Sequence, residues 1–484
     1  MTMIVSLNRL FLGMVALFAL AGTAAAESAV FDFNRDFYPY YPSLIQWNKS
    51  NVPFTPPQTC GQCHQQQYQE WSGSVHSLAF LDPIYQGELN KAVKAVGHDI
   101  TRQCEGCHSA AGMVTGEIKG PGLAGLSPMA LSGVSCDICH SVSGITHWQT
   151  PSHEPENGSL ILTTGEQDKP VKRGPFKPSP ECGGGFHDCE QTSFHLKADL
   201  CASCHQVYHY DSHFPLEETY NEWKHGPYAQ LDILCQDCHM VDMKTFREAA
   251  DTFRKPARGE YRHFFSGVNY LLTYLSAGAA KKTGDQQLAK RLMAQYDMAV
   301  ERLKSAAELD VEPVYRNGAL VELRVRVKNV RAGHNLPTSL TNVRQMWLEV
   351  TARDEKGVVL LSSGSVQPDG TLPEDARLFN SDGMGRDFHF AVDPWVVTAF
   401  SRHDTIPPRG YKDVFYGFTP PAGVKQVSLE VKLRYRQADQ KVAEALLGAV
   451  PKDMDLKAIY GLDKVPQLPI VDMVVKNTTV AVRR

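Results

Sequence analysis

The pattern of apolar and polar positions changes along the chain, and each part predicts a different type of structure. In residues 264–280 and 285–309, apolar side chains recur at helical spacing, which predicts two helices joined by a turn at 281–284. From about Val311 the period becomes two, with Leu, Val and Tyr alternating with charged residues. Because Pro- and Gly-rich loops separate the alternating runs, we predict an antiparallel β-sandwich over residues 311–484.

The first 26 residues have the layout of a secretory signal peptide. Arg9 precedes a 12-residue apolar run from Leu10 to Ala21, and small residues follow up to Ala26. We expect cleavage after Ala26, with an uncleaved N-terminal anchor as the alternative. The run is short for a bilayer span of ~20 residues, and no later stretch approaches that length. The mature chain is therefore expected to be soluble, not membrane-spanning, and periplasmic or extracellular.

Composition and charge narrow the range of functions. With 43% hydrophobic and 21% charged residues, the chain is expected to fold into a globular protein. A net charge of -4 over 484 residues argues against a nucleic-acid or anionic-membrane partner. The 12 cysteines are informative, because thiols of an exported protein oxidise unless something captures them.

Ten of the twelve cysteines belong to one repeated motif, C-x-x-C-H, which attaches c-type haem. Two thiols on one helical turn reach the two vinyl groups at a porphyrin edge, and the next residue points its imidazole at the iron. A single motif could be a thioredoxin-like redox pair or half a zinc site, but a zinc ribbon needs no histidine after every pair. The predicted attachment residues are Cys60, Cys63, Cys104, Cys107, Cys136, Cys139, Cys201, Cys204, Cys235 and Cys238. The predicted proximal iron ligands are His64, His108, His140, His205 and His239.

The motifs predict five covalently attached haem c groups, each with its iron. Residues 55–240 show few long amphipathic repeats, so the porphyrins would supply core that the side chains do not. The predicted organisation is a signal peptide (1–26), a pentahaem cytochrome c domain with C-terminal helices (27–309) and a β-sandwich domain (310–484). The predicted fold class is a mainly α, loop-rich multihaem cytochrome domain with a helical brace, followed by an all-β sandwich domain.

The second axial position of each iron separates a haem that carries electrons from one that binds a substrate. Of the 18 histidines, 13 remain beyond the proximal set, so ligation by two histidines is the default expectation. If one straight helix joined His64 and His76, they would lie about 18 Å apart and serve different haems. The distal candidates flank the motifs beside aromatic or Gly residues; they are His76, His195, His225, His263 and His334.

Cys182 and Cys189 belong to no motif and bracket a Gly-rich loop. In an oxidising compartment we predict that they form a disulfide. The alternative is a reactive thiol or a metal site that includes His187.

Several segments resemble the exported multihaem c-type cytochromes. The resemblance rests on Leu216–Tyr228 before the fifth motif, Gly133–Ser135 before the third, and parts of residues 262–269 and 329–338. The broader group includes the tetrahaem cytochrome that serves hydroxylamine oxidation, the pentahaem nitrite reductase and hydroxylamine oxidoreductase. The resemblance implies closely packed haems, mostly with two histidine ligands, and supports His225, His263 and His334 as ligands.

The chain also departs from the enzymes of this group. The pentahaem nitrite reductase has Lys in place of His in its catalytic motif, whereas all five motifs here end in His. No segment matches the tyrosine cross-link of hydroxylamine oxidoreductase. Both departures weaken a catalytic assignment, and no catalytic residue is predicted.

We therefore expect an exported pentahaem c-type cytochrome that carries electrons between redox partners through bis-His haems. The alternative is a multihaem oxidoreductase acting on a small nitrogen or sulfur compound at one haem with an open site. A third possibility gives the β domain a docking role. The expected partners are redox proteins, such as a membrane complex that oxidises quinol, or another cytochrome.

Overall fold

Short helices and short strands alternate in the first half of the chain, and long strands dominate the second half. The computed structural model describes residues 43–146, 152–166 and 168–482, so the predicted signal peptide lies outside the described residues. The described residues belong to one compact unit, and the predicted domain boundary near residue 309 stays a prediction.

The elements are numbered in chain order. The α-helices are α1 (Pro57–Cys60), α2 (Gln65–Ser72), α3 (Val75–Leu78), α4 (Pro83–Val96), α5 (Ile100–His108), α6 (Ala110–Val114), α7 (Cys136–His140), α8 (Asp199–His205), α9 (Thr219–Lys224), α10 (Pro227–Gln230), α11 (Cys235–His239), α12 (Met243–Thr252), α13 (Tyr270–Lys282), α14 (Gln286–Ala306), α15 (Gln440–Leu447) and α16 (Leu456–Tyr460). The strands are β1 (Gln46–Trp47), β2 (Val142–Ile145), β3 (Leu160–Leu162), β4 (Gly165–Glu166), β5 (Lys169–Gly174), β6 (Asp188–Gln191), β7 (Val207–Tyr208), β8 (Pro215–Glu217), β9 (Ala307–Arg316), β10 (Ala319–Asn329), β11 (Gln345–Arg353), β12 (Val359–Ser363), β13 (Arg377–Phe379), β14 (Ser381–Met384), β15 (Ala399–His403), β16 (Tyr411–Gly417), β17 (Gln426–Arg436) and β18 (Val471–Ala481). Among the described residues, no helix is long and apolar enough to cross a membrane.

The two long helices confirm the helical spacing seen in the sequence. The Asp285 side chain caps α14 by accepting a hydrogen bond from the Leu288 N–H, so the helix begins where the pattern predicts. It ends at Ala306 and not at the predicted residue 309, because the backbone of Ala307 is extended and begins β9. Helix α13 begins at Tyr270, later than the predicted residue 264. The reason is local, because Phe265 has a φ of 45°, which a right-handed helix cannot contain.

Two sheets dominate the second half of the chain. One has three antiparallel strands in the order β16-β10-β9, and Val325 of β10 lies opposite Val311 and Val414. The other follows the order β12-β11-β17-β18, with β13 also paired to β11. The predicted alternating strands are present as β10 and β17. Smaller sheets are β1-β3-β2, β4-β5-β6, β7-β8 and β14-β15.

The largest apolar core joins the two main sheets to the two long helices. Val327 of β10 and Leu348 of β11 are fully buried in it, together with Leu303 of α14. Helix α14 also reaches the cysteine motifs, since the guanidinium of Arg302 donates to the carbonyl oxygen of Cys238 at 2.7 Å. The helix therefore connects the sheets to the motif-bearing part of the fold.

The predicted fold class was wrong in its balance of helix and strand. The described residues are 32% helical and 24% strand, so this part of the chain is not mainly α, although a β-rich region is present. In the first half the strands are two to six residues long, too short to show an alternating pattern. The second half is not all-β, because Asp439 and Asp455 cap α15 and α16 between β17 and β18.

Candidate haem centres

Each C-x-x-C-H motif lies on or beside a short helix. In the second to fifth motifs the helix ends at the motif histidine, in α5, α7, α8 and α11. In the first motif α1 ends at Cys60, and His64 directly precedes α2. Because residues three apart lie on one face of a helix, both thiols of a motif can face the same porphyrin edge.

Hydrogen bonds donated by Nδ1–H orient four of the five motif histidines. The acceptors are the carbonyl oxygens of Ala79 for His108 (3.0 Å), Arg173 for His140 (2.5 Å) and Ser266 for His239 (2.7 Å), and a carboxylate oxygen of Glu217 for His205 (3.2 Å). A carbonyl oxygen can only accept, so Nδ1 carries the proton in the three histidines bonded to backbone. Nε2 then keeps a free lone pair, as a ligand to iron requires.

Four motif histidines face a second imidazole. The ring centres are separated by 6.4 Å for His64 and His187, 6.4 Å for His76 and His205, 6.4 Å for His140 and His263, and 6.2 Å for His239 and His334. An iron between two imidazoles would separate their centres by roughly 6 Å, with about 2 Å for each bond and about 1 Å from each nitrogen to its ring centre. The donor sets therefore fit haem iron with two histidine ligands.

Burial keeps several of these imidazoles neutral, which is the form that binds a metal. It lowers the pKa of His76 to about 3, of His239 to about 3 and of His263 to about 4. His205 differs: burial opposes its charged form, but the hydrogen bond and charge of Glu217 raise its pKa to about 9. Glu217 therefore pulls on the Nδ1 proton of His205, which makes this imidazole a more basic ligand.

Four of the five distal candidates lie beside a motif histidine, and three of them, His76, His263 and His334, do so with 6.2–6.4 Å between ring centres. His195 lies only 5.2 Å from His140, and its Nε2 is engaged by the carbonyl oxygen of Cys139 at 3.0 Å. Nε2 is therefore not free for iron, whereas the buried Nδ1 has no hydrogen-bond partner among the described residues. We favour His263 as the partner of His140, because 5.2 Å is shorter than the roughly 6 Å that an iron between two imidazoles needs.

His225 is not brought to a motif histidine. It is exposed, and its Nδ1 bonds the carbonyl oxygen of Asn221 at 2.8 Å. It lines a surface cleft together with Glu218, Glu222 and His403.

His187 faces the motif histidine His64 in the structure, but from the sequence we named it only as part of an alternative thiol or metal site. It lies inside the loop closed by Cys182 and Cys189, whose predicted disulfide is present with the Cα atoms 6.1 Å apart. The sequence of this Gly-rich loop does not show that His187 faces His64. It does show that His187 lies between two cysteines that can form a disulfide, which fixes the position of the loop.

The motif at His108 has different surroundings. Among the described residues, no second imidazole pairs with His108, and its ring stacks on Tyr85 with centres 3.8 Å apart. The Tyr85 hydroxyl donates to Glu105 at 2.6 Å. Burial raises the pKa of Glu88 to about 7, and Glu88 in turn acts on the Cys104 thiol of this motif. A titratable carboxyl thus lies near the second motif.

The arrangement of thiols indicates which motifs are neighbours. The Cys60 thiol interacts with Cys136, so the first and third motifs are adjacent. Likewise Cys201 interacts with Cys235, joining the fourth motif to the fifth. Cys204 interacts with Cys107 of the second motif. The fourth motif therefore lies between the second and the fifth.

The donor geometry does not fit a zinc ribbon. Within residues 43–146, 152–166 and 168–482, no group of three or more His, Cys, Asp or Glu side chains converges on a possible metal position. A structural zinc site needs about four such ligands. Axial ligation of haem iron needs only the facing pairs that the fold provides.

Two comparisons with known proteins found similar proteins. Residues 59–141 match the family model for cytochrome c554 and c-prime. The fold is similar to the crystal structure of a penta-heme cytochrome c552 from Thermochromatium tepidum, with a TM-score of 0.58 and 19% identity over 88% of this chain and 99% of that chain. No curated protein matches the chain. The family match thus covers the first three C-x-x-C-H motifs, and the structural likeness shows a shared fold.

Proposed function

We propose that the mature chain is an exported cytochrome that attaches five haem c groups and passes electrons among them to redox partner proteins. The observation that carries the proposal is the set of four facing imidazole pairs at 6.2–6.4 Å. An iron with two imidazole ligands offers no position to a substrate, which favours electron transfer over chemistry at the metal. The proposed distal ligands are His187, His76, His263 and His334, opposite His64, His205, His140 and His239.

The neighbouring motifs support a continuous route for electrons. The thiol contacts link the first motif to the third and the fourth motif to both the second and the fifth. The Cys139 thiol of the third motif also interacts with Cys201 and Cys204 of the fourth. Every motif therefore has a neighbour. The export signal and the disulfide support a periplasmic or extracellular location.

Electron paramagnetic resonance of the fully oxidised protein tests the ligation. We expect four low-spin haems and one high-spin haem, with five covalent haems in the mass of the denatured chain. His263→Ala should convert the haem of the third motif to high spin. His195→Ala is the matched control, because His195 neighbours the same His140 but its ring centre, at 5.2 Å, is too close for an iron between the two rings. A low-spin signal lost with His195→Ala and kept with His263→Ala would contradict the proposed ligand set.

A second candidate function rests on the motif at His108. No imidazole among the described residues faces this histidine, so its haem would have a position open to a small nitrogen or sulfur compound. Burial raises the pKa of Asp82 to about 6, and Arg344 acts on both Asp82 and Glu88, placing proton donors and a cation in one region. These groups suit binding and protonation of a small anion. A high-spin signal that shifts with nitrite, hydroxylamine or sulfite would favour this oxidoreductase role, whereas an unchanged signal would favour electron transfer alone.

A further inference from the structure

The two ends of the loop between Cys182 and Cys189 differ: the Cys189 end belongs to a strand, and the Cys182 end does not. Cys189 belongs to β6, which pairs in parallel with β5, so that Lys172 lies opposite Cys189. Cys182 lies in a turn outside any strand and is exposed. The disulfide is therefore the bond that ties the free end of the loop to the sheet.

The path of this loop depends on glycine. Gly183, Gly184 and Gly185 all have positive φ values. A Cβ atom at Gly183 would lie 1.9 Å from the carbonyl oxygen of His187, a distance that no real contact has. The backbone therefore folds tightly over His187, and only glycine allows this approach.

The loop presents His187 in the form that binds iron. Its Nδ1 lies 3.0 Å from the carbonyl oxygen of Asp188, which can only accept, so Nδ1–H is the donor. Nε2 is then the nitrogen with a free lone pair, and the ring faces His64 across 6.4 Å. The other three facing histidines, His76, His263 and His334, are not enclosed by a disulfide.

We propose that the Cys182–Cys189 disulfide positions His187 as the distal ligand of the haem at the first motif, and that breaking the disulfide makes this haem alone lose that ligand. The inference rests on the proposed haem ligation. It adds that the ligation of one haem depends on a disulfide that thiol reductants can break. A dithiol reductant would supply two electrons and two protons, become a disulfide itself, and leave Cys182 and Cys189 as thiols. Exposure of Cys182 gives such a reductant access.

The sheet beneath the loop explains why the effect should stay local. Arg173, next to Lys172 on β5, offers its carbonyl oxygen to His140 of the third motif. Lys172 itself forms an ion pair with Asp137 at 2.5 Å. These bonds belong to β5 and do not use the disulfide, so the third haem should keep its ligands when the first loses one.

Spin counts on the haem-loaded protein test the proposal. Cys182→Ser with Cys189→Ser, and separately His187→Ala, should each raise the high-spin signal by about one haem per chain. Added imidazole should reverse the change in His187→Ala, because it fills the vacated coordination position. His389→Ala, an exposed histidine outside the site, is the control and should leave the spectrum unchanged.

The native protein provides a second test that needs no variant to fold. The disulfide is reduced with a phosphine, the thiols are alkylated, and the haems are reoxidised with ferricyanide before the spectrum is recorded. We expect the same gain of one high-spin haem. If the first motif carries no haem in peptide mass spectrometry, the proposed function is wrong. If the haem is present and His187→Ala stays low-spin, the ligand assignment is overturned; if only His187→Ala changes the spectrum, the role of the disulfide is overturned.

Discussion

Arg302 is expected to raise the reduction potential of the haem at the fifth motif. It is 5% exposed, and among the described residues no carboxylate forms an ion pair with it. Its guanidinium donates to the carbonyl oxygen of Cys238 at 2.7 Å and lies 4.4 Å from the ring centre of Phe246. Burial lowers the pKa of Arg302 to about 10, which leaves it charged at neutral pH. A fixed cation favours the reduced iron, which has one positive charge less.

The size of the effect follows from the position of the charge. Cys238 directly precedes His239, so the guanidinium lies within roughly 8 Å of the iron that His239 would bind. With an effective dielectric constant of about 20, a unit charge at that distance contributes about 2 kcal/mol. For one electron this corresponds to a potential change of about 90 mV. Arg302→Met should lower one haem potential by up to this amount.

A spectroelectrochemical titration of the five haems measures the change. Arg302→Lys should restore most of the potential, since it keeps the charge. Arg247→Met is the control, because Arg247 is exposed on α12 and pairs with Glu301, so solvent screens its charge. An unchanged or raised potential in Arg302→Met, with full haem content, would refute the electrostatic argument.

Four further predictions follow from other contacts. Glu217→Gln should raise the potential of the fourth-motif haem by up to about 40 mV in the same titration, because a neutral acceptor replaces a carboxylate at Nδ1, a difference of about 1 kcal/mol. Asp137→Asn should lower the free energy of unfolding in urea by about 3 kcal/mol, because it leaves Lys172, whose side chain is 15% exposed, without its ion pair. Glu88→Gln should flatten the dependence of the melting temperature on pH: the raised pKa of Glu88 gives stability below about pH 4.5 that is lost as the pH rises through about 7. His334→Ala should turn one low-spin haem high-spin, and an unchanged spectrum would make His334 a structural loop residue.

Features fixed by neighbouring residues were predictable from the sequence. The C-x-x-C-H motifs, helix α14 and strand β10 each depend on a spacing of two to four residues, which can be read directly. The Cys182–Cys189 disulfide was also predicted, because the two cysteines belong to no motif and bracket a Gly-rich loop in a chain with an export signal. The small strands were missed, because a strand such as β7 has two residues and shows no period.

The facing histidines could be predicted only in part, because the pairs join distant parts of the chain. His76 precedes the second motif but faces His205 of the fourth. In sequence, His187 lies in a loop between two cysteines. Its pairing with His64 depends on the parallel pairing of β6 with β5, which the local sequence does not show. His225 matched a family segment in sequence, yet it is exposed and lines a surface cleft with His403. Local surroundings identify a histidine that could bind iron but not the motif it meets.

The separation of the partners gives the proposed iron ligation a role in stability. The pairs span from 95 residues, between His239 and His334, to 129 residues, between His76 and His205. By the chain-entropy estimate for cross-links, closing one loop of about 100 residues contributes ~5 kcal/mol, although overlapping loops do not add. Such cross-links would supply stability to residues 55–240, which have few long amphipathic elements. The pair that includes His187 should be the easiest to open, because its distal ligand lies on an exposed loop and depends on one accessible disulfide.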